Sequence, residues 1–368
     1  MPSTISVVIT GAAGRIAYAL LPLVCSGDVF GKDVQIDLRL LDIEMSAEKL
    51  RGVALEIEDC CYHNLKSLVA TVDPQVAFAD VNVAVLLGGF PRMAGMERKD
   101  LTMRNAKGMR TQGMALEKYA SRDVKVLVVA NPANTNALVA QRFAPSIPRE
   151  NFTCLTRLDN ERLSFFVAQY VNESRQANGI ESGHPPTRPA DVQDSSILGN
   201  HSSTQVPYVD IASVRIGSKI LSVTELLEQH PRNTGKKGTV LSELIARVQQ
   251  RGAEILKAQG ASSGFSAADS IAKHLRDWLG EDNNSSVFSM GVDSAGNPYG
   301  VPDGLIFSFP CRKIQPGKVE IVKGLKFSSQ TQHLIDLTVA ELCGERADAE
   351  SAVLESDRPL GTGLDSKL

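Results

Sequence analysis

Short apolar runs recur along the first part of the chain, and each is stopped by glycine or polar residues. Residues 5–10 (ISVVIT) end at Gly11, and 36–41 (IDLRLL) end at Asp42. Residues 82–87 (NVAVLL) end at Gly88-Gly89, and 124–129 (VKVLVV) run into Ala130-Asn131-Pro132. Length and β-branched content predict four buried strands. Between them, 16–24, 47–59 and 104–119 space their apolar residues at helical intervals. Strands without polar alternation, separated by helices, predict an α/β fold with a parallel sheet covered on both faces.

The pattern changes beyond about residue 155. Residues 160–172 and 241–279 read as helices, the second interrupted near 260–264. Residues 299–302 and 305–309 read as hairpin or antiparallel strand material, and 330–342 as a closing amphipathic helix. Residues 174–195 contain Pro185, Pro186 and Pro189 with little periodicity, which predicts an exposed inserted loop. The polar stretch 347–368 reads as a mobile tail. The expected division is therefore a first domain over 1–155, a second α+β domain over 156–346 and the tail.

Composition narrows the classes. The 39 Lys and Arg nearly balance 42 Asp and Glu, a net charge of -3. That excludes nucleic-acid or anionic-membrane binding driven by overall charge. An anionic ligand must be met by a few placed cations. The six cysteines include no CxxC pair, so reduced thiols are expected and no metal centre is suggested. No apolar run approaches the ~18 residues needed to span a membrane.

The turn after the first strand, Thr10-Gly-Ala-Ala-Gly-Arg-Ile-Ala17, carries the first chemistry. Gly11 permits a tight turn, Gly14 lets backbone approach a pyrophosphate, and Ala17 allows close helix packing. The N–H groups around Arg15 and Ile16 face the anion. Asp42, at the end of the next strand, suits ribose hydroxyls and repels a 2′-phosphate, which favours NAD over NADP. Together they predict a Rossmann-type, doubly wound dinucleotide-binding sheet.

Arg92 and Arg98 follow Gly88-Gly89, in a loop beyond the end of a sheet strand where α/β proteins bind ligands. Arginine grips planar carboxylates through two parallel hydrogen bonds, although Glu97, Lys99 and Asp100 also offer ordinary surface pairing. Asp159 and Arg162 lie three apart and share a helix face. His201 stands between Leu198-Gly-Asn and Ser-Ser-Thr. A carboxylate accepting its Nδ1–H would fix the tautomer and make it a proton acceptor near neutral pH.

From Val7 to Leu342 the chain resembles the NAD-dependent malate dehydrogenases of the cytosolic type, within the lactate/malate dehydrogenase family. The matching motifs are TGAAGRIAYALL, DVFGKD, LLDIE, PRMAGMERKDL, NPANTN, APSIPRENFTCLTRLDNER, GNHSSTQ and SMGVDSAGNPYGVPDGLIFSFP. The resemblance implies that His201 is the proton acceptor and Asp159 its orienting carboxylate. It implies that Arg162 grips the C1 carboxylate of malate, Arg98 polarises the C2 oxygen, and Arg92 pairs with the second carboxylate. Asn131 would bond substrate beside the nicotinamide, and Ser262 would line the pocket. Ala12, Asn105, Gln112 and Val129 would join the glycine turn and Asp42 around NAD. A homodimer using residues 51–61 is also implied.

The chain departs from the family pattern in three places. Met93 stands where a second arginine is usual, the segment before His201 is longer, and the chain continues to Ser366-Lys-Leu368. A terminal Ser-Lys-Leu is read by the peroxisomal import receptor, so peroxisome or glycosome is expected, with the cytoplasm as alternative. The alternative activity is a 2-hydroxy-acid dehydrogenase of broader specificity that extends to aromatic substrates. A short-chain dehydrogenase using Tyr62 and Lys66 is disfavoured because that pair comes too early in the chain. A dinucleotide-binding scaffold without catalysis is disfavoured by His201, Asp159 and the three arginines.

Overall fold

A computed structural model describes residues 4–90, 96–180, 183–233, 239–281 and 286–356. In the first half the elements are β1 (Thr4–Thr10), α1 (Arg15–Cys25), β2 (Gln35–Leu41), α2 (Ala47–Asp59), β3 (Leu65–Thr71) and α3 (Pro74–Phe78). There follow β4 (Val83–Leu86), α4 (Arg98–Tyr119), β5 (Lys125–Val128), α5 (Ala133–Arg142) and β6 (Phe152–Cys154). The second half holds α6 (Arg157–Asn178), β7 (Val192–Gln193), β8 (Ser196–Leu198), β9 (Val206–Tyr208), β10 (Ser213–Ile216) and β11 (Lys219–Ser222). It closes with α7 (Val223–Glu228), α8 (Thr239–Gln259), α9 (Phe265–Leu279), β12 (Phe288–Asp293), β13 (Ile306–Gln315), β14 (Lys318–Ile321) and α10 (Ser329–Ser356).

One nine-stranded sheet runs in the order β14-β13-β12-β6-β5-β4-β1-β2-β3. Its β1–β6 part is parallel and follows the doubly wound order, with the reversal between β1 and β4. Register aligns the carboxyl ends of the strands: Thr10 pairs with Leu41 and Leu86, Leu86 with Val128, and Val128 with Cys154. The residues just past these positions are therefore delivered to one edge. β12, β13 and β14 extend the sheet in antiparallel sense. The join at β6 needs Gly291, because a Cβ there would collide with Cys154 Sγ.

α1 and α9 pack with the sheet in one apolar cluster, and α4 and α5 share a second with β4 and β5. α6, α7 and α8 enclose a third with β10. Among the described residues no helix is long and apolar enough to cross a membrane.

The differences from the sequence reading have local causes. β3 was not anticipated because Lys66 and Ser67 interrupt its apolar run, and β6 spans only three residues. Residues 299–302, expected as hairpin or antiparallel strand material, lie in the connection between the antiparallel β12 and β13, at a turn held by Asn297, whose amide donates to Val301 O at 2.7 Å and accepts from Tyr299 N–H at 2.9 Å. Residues 183–186 and 188–190 are exposed, as expected of a loop, but the segment 174–195 begins as helix and is anchored to it. α6 continues to Asn178, and buried Arg175 donates to Pro185 O and Thr187 Oγ1, both at 3.0 Å. The helix expected to stop near Leu342 runs on to Ser356 because Ala349, Ala352 and Val353 are buried. Residues 357–368, the rest of the expected tail, lie outside the described residues.

Candidate active site

The carboxyl edge of β1, β2 and β4 forms a cradle. Gly11 has φ +65, and a Cβ there would stand 2.8 Å from the Cα and N of Gly88. The β1 and β4 loops can therefore touch only through glycine. Gly14 N–H donates to Gly11 O at 2.9 Å. A Cβ on Gly14 would fill the turn, lying 2.9 Å from that same oxygen. Gly14 is the N-cap of α1 and offers no side-chain cap, so the first-turn N–H groups remain available to an anion. Ala12 and Ala17 are buried behind the turn, Ile16 is half-buried, and Val129 closes the cradle from the end of β5.

Asp42 braces this turn. One carboxylate oxygen accepts Ala13 N–H and the other accepts Ile43 N–H, each at 2.8 Å. A carboxylate has about four acceptor sites, so each oxygen can still receive a ribose hydroxyl. The glycine contacts and the remaining acceptor capacity of Asp42 fit a dinucleotide.

Three of the predicted cofactor residues, Gln112, Asn105 and Arg15, also make side-chain bonds within the chain. Gln112 accepts from Thr10 Oγ1 at 2.8 Å and donates to Gly88 O at 3.2 Å, while Thr10 Oγ1 accepts Gly88 N–H at 3.1 Å. Asn105 accepts Phe90 N–H at 2.6 Å and donates to Asn131 O at 2.7 Å. These bonds tie the Gly88-Gly89 loop to the ends of β1 and β5. Arg15 reaches away from the turn to Gln259 Oε1 at 2.5 Å and Ser262 O at 3.4 Å, joining α1 to the α8–α9 junction.

The second cluster starts from Asp159, in the first turn of α6 just beyond β6. It is 0% exposed, with Arg162 at 11% and His201 at 17%. One oxygen accepts from Arg162 at 2.9 Å; the other bonds His201 Nδ1. Gln205 adds a side-chain hydrogen bond. Burial pushes the Asp159 pKa up, but the His201 and Arg162 charges and these hydrogen bonds outweigh it and hold the carboxyl below its usual range. Arg162 also donates to Ser263 Oγ at 3.1 Å, while its buried Nε has no partner among the described residues.

His201 is fixed by its backbone too, its N–H donating to Asn134 Oδ1 at 2.9 Å. Asn134 in turn donates to Gly199 O and Ile306 O. Among the described residues His201 Nε2 has no hydrogen-bond partner, so the ring presents one nitrogen engaged and one open. That is the form required of a proton acceptor.

The structure thus brings together His201, Asp159 and Arg162, and separately groups Asn105, Gln112, Asn131 and the glycine turn. Arg92 lies outside the described residues. Arg98 is the first residue of α4, and its side chain is likewise outside them. Ser262 contributes its carbonyl to Arg15; the hydroxyl on Arg162 belongs to its neighbour Ser263. Thr10, Asn134, Gln205 and Ser263 were not singled out from sequence. Asn134 and Gln205 lie in the NPANTN and GNHSSTQ motifs, which could have pointed to them; Ser263 carried no such signal.

Comparison with known proteins gives this geometry its family. Residues 5–153 match the family model described as lactate/malate dehydrogenase, NAD binding domain, and 156–353 match its alpha/beta C-terminal domain. The chain is 46% identical over 350 residues to cytoplasmic malate dehydrogenase of Felis catus, covering 95% of this chain and 98% of that one. It is 44% identical to the Beta vulgaris protein of the same name over 347 residues, 94% of this chain and 98% of that one. Among solved structures, Naegleria fowleri malate dehydrogenase aligns with TM-score 0.82 and 36% identity, covering 95% and 98%. Trichomonas vaginalis lactate dehydrogenase in complex with NADH and oxamate aligns with TM-score 0.84 and 32% identity, covering 95% and 99%.

These relatives correct one expectation. The peroxisome or glycosome inferred from Ser366-Lys367-Leu368 gives way to the cytoplasm, because relatives matching nearly the whole chain are named cytoplasmic. With domain models matched in both halves and relatives above 40% identity along nearly its full length, this chain belongs to the lactate/malate dehydrogenase family, and its first half is an NAD-binding domain.

Proposed function

We propose that the protein is an NAD-dependent malate dehydrogenase in which His201 transfers the proton and Asp159 orients it. The observation that carries this reading is the shared carboxylate of Asp159, with His201 Nδ1 on one oxygen and Arg162 on the other. With its Nδ1 proton donated to a buried carboxylate, His201 offers Nε2 as the base for the malate hydroxyl. In the reverse direction the imidazolium returns that proton to the oxygen of oxaloacetate, and Asp159 stabilises its charge. Bound NAD supplies the hydride chemistry, exchanging hydride with C2 of the substrate.

Arg162 is already held at Asp159 and retains donors for a planar C1 carboxylate. Arg98 polarises the C2 oxygen, an electrostatic role that gains strength when water is excluded. Arg92 pairs with the second carboxylate, with Asn131 and Ser262 beside it; these roles follow the family resemblance. The names of the most similar relatives favour malate over an aromatic 2-hydroxy acid. In the same reading 1–155 are the NAD-binding domain, which also lends Arg92, Arg98 and Asn131 to the substrate, and 156–346 are the substrate and catalytic domain. The chain forms a homodimer through a surface including α2, where Leu55 is exposed.

The test is NADH oxidation with oxaloacetate, pyruvate and phenylpyruvate, with NADPH in parallel. Preference for NADH with oxaloacetate, falling by tenfold or more (roughly 1.4 kcal/mol) in Arg92→Ala, is expected. Comparable turnover of phenylpyruvate by the unaltered protein refutes the dicarboxylate assignment.

A further inference from the structure

The loop bearing His201 rests on the closing helix. Three donors of that loop converge on one carboxylate oxygen of Glu341: Asn200 Nδ2 at 2.9 Å, Ser202 Oγ at 2.5 Å and Thr204 Oγ1 at 2.6 Å. One helical turn later, buried Glu345 accepts from Asn200 Nδ2 at 3.1 Å and, through its other oxygen, from Thr135 Oγ1 at 2.6 Å. Thr338, one face-turn earlier, accepts Asn200 N–H at 2.9 Å. Positions 338, 341 and 345 recur at the three- and four-residue spacing that places them on one face of α10.

The residue before Thr135 is Asn134, which holds the His201 N–H. The two carboxylates therefore connect both supports of His201, the loop on its carboxyl side and α5 behind its backbone. An ionised carboxylate is an acceptor only, and hydrogen bonds to it are shorter and about twice as strong as neutral ones. Three such bonds on one oxygen define where Asn200, Ser202 and Thr204 stand. They flank His201 on both sides and so set the ring's position relative to Arg162 and the cofactor edge.

We infer that Glu341 and Glu345 are positioning residues for proton transfer, holding the His201 loop on α10 without touching substrate. The inference rests on the proposed role of His201. Catalytic groups must stand within about 0.5 Å of productive geometry, and a displacement of about 1 Å can cost roughly a hundredfold in rate. Substrate binding is assigned to Arg92, Arg98, Asn131, Arg162 and Ser262 and cofactor binding to the glycine turn, none of them a donor in these bonds, so the clamp acts on the chemical step.

The variants are Glu341→Gln and Glu345→Gln, which keep shape and remove charge, together with Thr204→Val, which removes one donor from the loop side and spares α10. Each is assayed in both directions as the full chain: oxaloacetate reduction with NADH and with NADH carrying deuterium in the transferred position, and malate oxidation by NAD with malate carrying hydrogen or deuterium at C2. The expected result is a kcat lowered about tenfold to a hundredfold, KM values within about twofold and a larger deuterium isotope effect on kcat. Glu341→Gln combined with Thr204→Val should lose less than the product of the single losses, because both break one contact.

Unchanged kcat in all three variants overturns the inference. So does a fall in kcat matched by an equal loss of NADH-binding protein, with the isotope effect unmoved, since that is loss of folded enzyme alone. His201→Asn separates the two readings. If it retains activity, the proton-transfer role of His201 fails; if it is inactive while the glutamine variants match the unaltered protein, only the clamp fails.

Discussion

Asp159→Asn tests the proposed active site at its most constrained atom. Asp159 is 0% exposed, and its two oxygens receive His201 and Arg162. Asparagine fits the space but has one acceptor and one donor end. If the amide NH2 faces His201, Nδ1 must accept and the ring proton moves to Nε2, the tautomer that cannot take a proton from malate. If the NH2 faces Arg162 instead, donor meets donor beside a guanidinium that is only 11% exposed. Where such a change imposes the wrong tautomer on a catalytic histidine, the loss is about 10⁴ in kcat, about 5 kcal/mol of barrier at 1.36 kcal/mol per decade.

The assay is the initial rate of NADH oxidation with saturating oxaloacetate, beside a fluorescence titration of NADH binding. Binding should be unaffected because the cradle uses Gly11, Gly14 and Asp42. Stability gives an independent reading. The Asp159 carboxyl is held below its ordinary range, so its contribution is present above the unfolded value and is lost as pH falls through the folded one. The variant lacks that contribution, and its stability should depend less on pH in the acid range. A variant retaining more than about a tenth of the unaltered kcat (under ~1.4 kcal/mol lost), with normal NADH binding, refutes the claim that Asp159 sets the tautomer.

Two further outcomes follow from other parts of the fold. Gly11→Ala places a Cβ 2.8 Å from Gly88 backbone at φ +65; it should cost about 1–3 kcal/mol in thermal unfolding and weaken NADH binding measured by fluorescence. His274 is buried, with its pKa pushed down to about 3 by desolvation and then by the Arg157 charge. The unfolded chain binds its proton below about 6.5 and the folded chain does not, so stability falls as pH drops from there toward 3. His274→Gln should flatten that part of a denaturation series, and an unchanged slope would count against the neutral buried imidazole.

Part of this architecture is legible because buried parallel strands announce themselves by composition. The runs at 5–10, 36–41, 82–87 and 124–129 all mark strands, and their punctuating residues Gly11, Asp42, Gly88 and Asn131 fall at one sheet edge. That coincidence is geometric: parallel strands in register must present their ends together. β3 escapes the same reading because an outer strand can carry Lys66 and Ser67 on exposed positions. The polar helix end at 347–356 escapes because three small or branched residues suffice to bury one stripe among charges.

The active site is legible to a different depth. Asp159 and Arg162 are three apart, so helical spacing alone predicts that they share a face. His201 lies 42 positions from Asp159, and periodicity carries no information about contacts at such separations. Motif resemblance, not spacing, brings it to that aspartate. Glu341 and Glu345 show where this runs out. Their spacing marks one helix face, but helices with charged faces are ordinarily solvated. What makes these carboxylates internal is the approach of Asn200, which stands 141 residues from Glu341 and 145 from Glu345. That approach is set by Gly199, whose backbone pairs with Ser308 of β13, and whose missing Cβ would otherwise occupy the space of the Thr338 side chain. The position of the His201 loop thus depends on a glycine, a strand and a helix face from three distant parts of the chain.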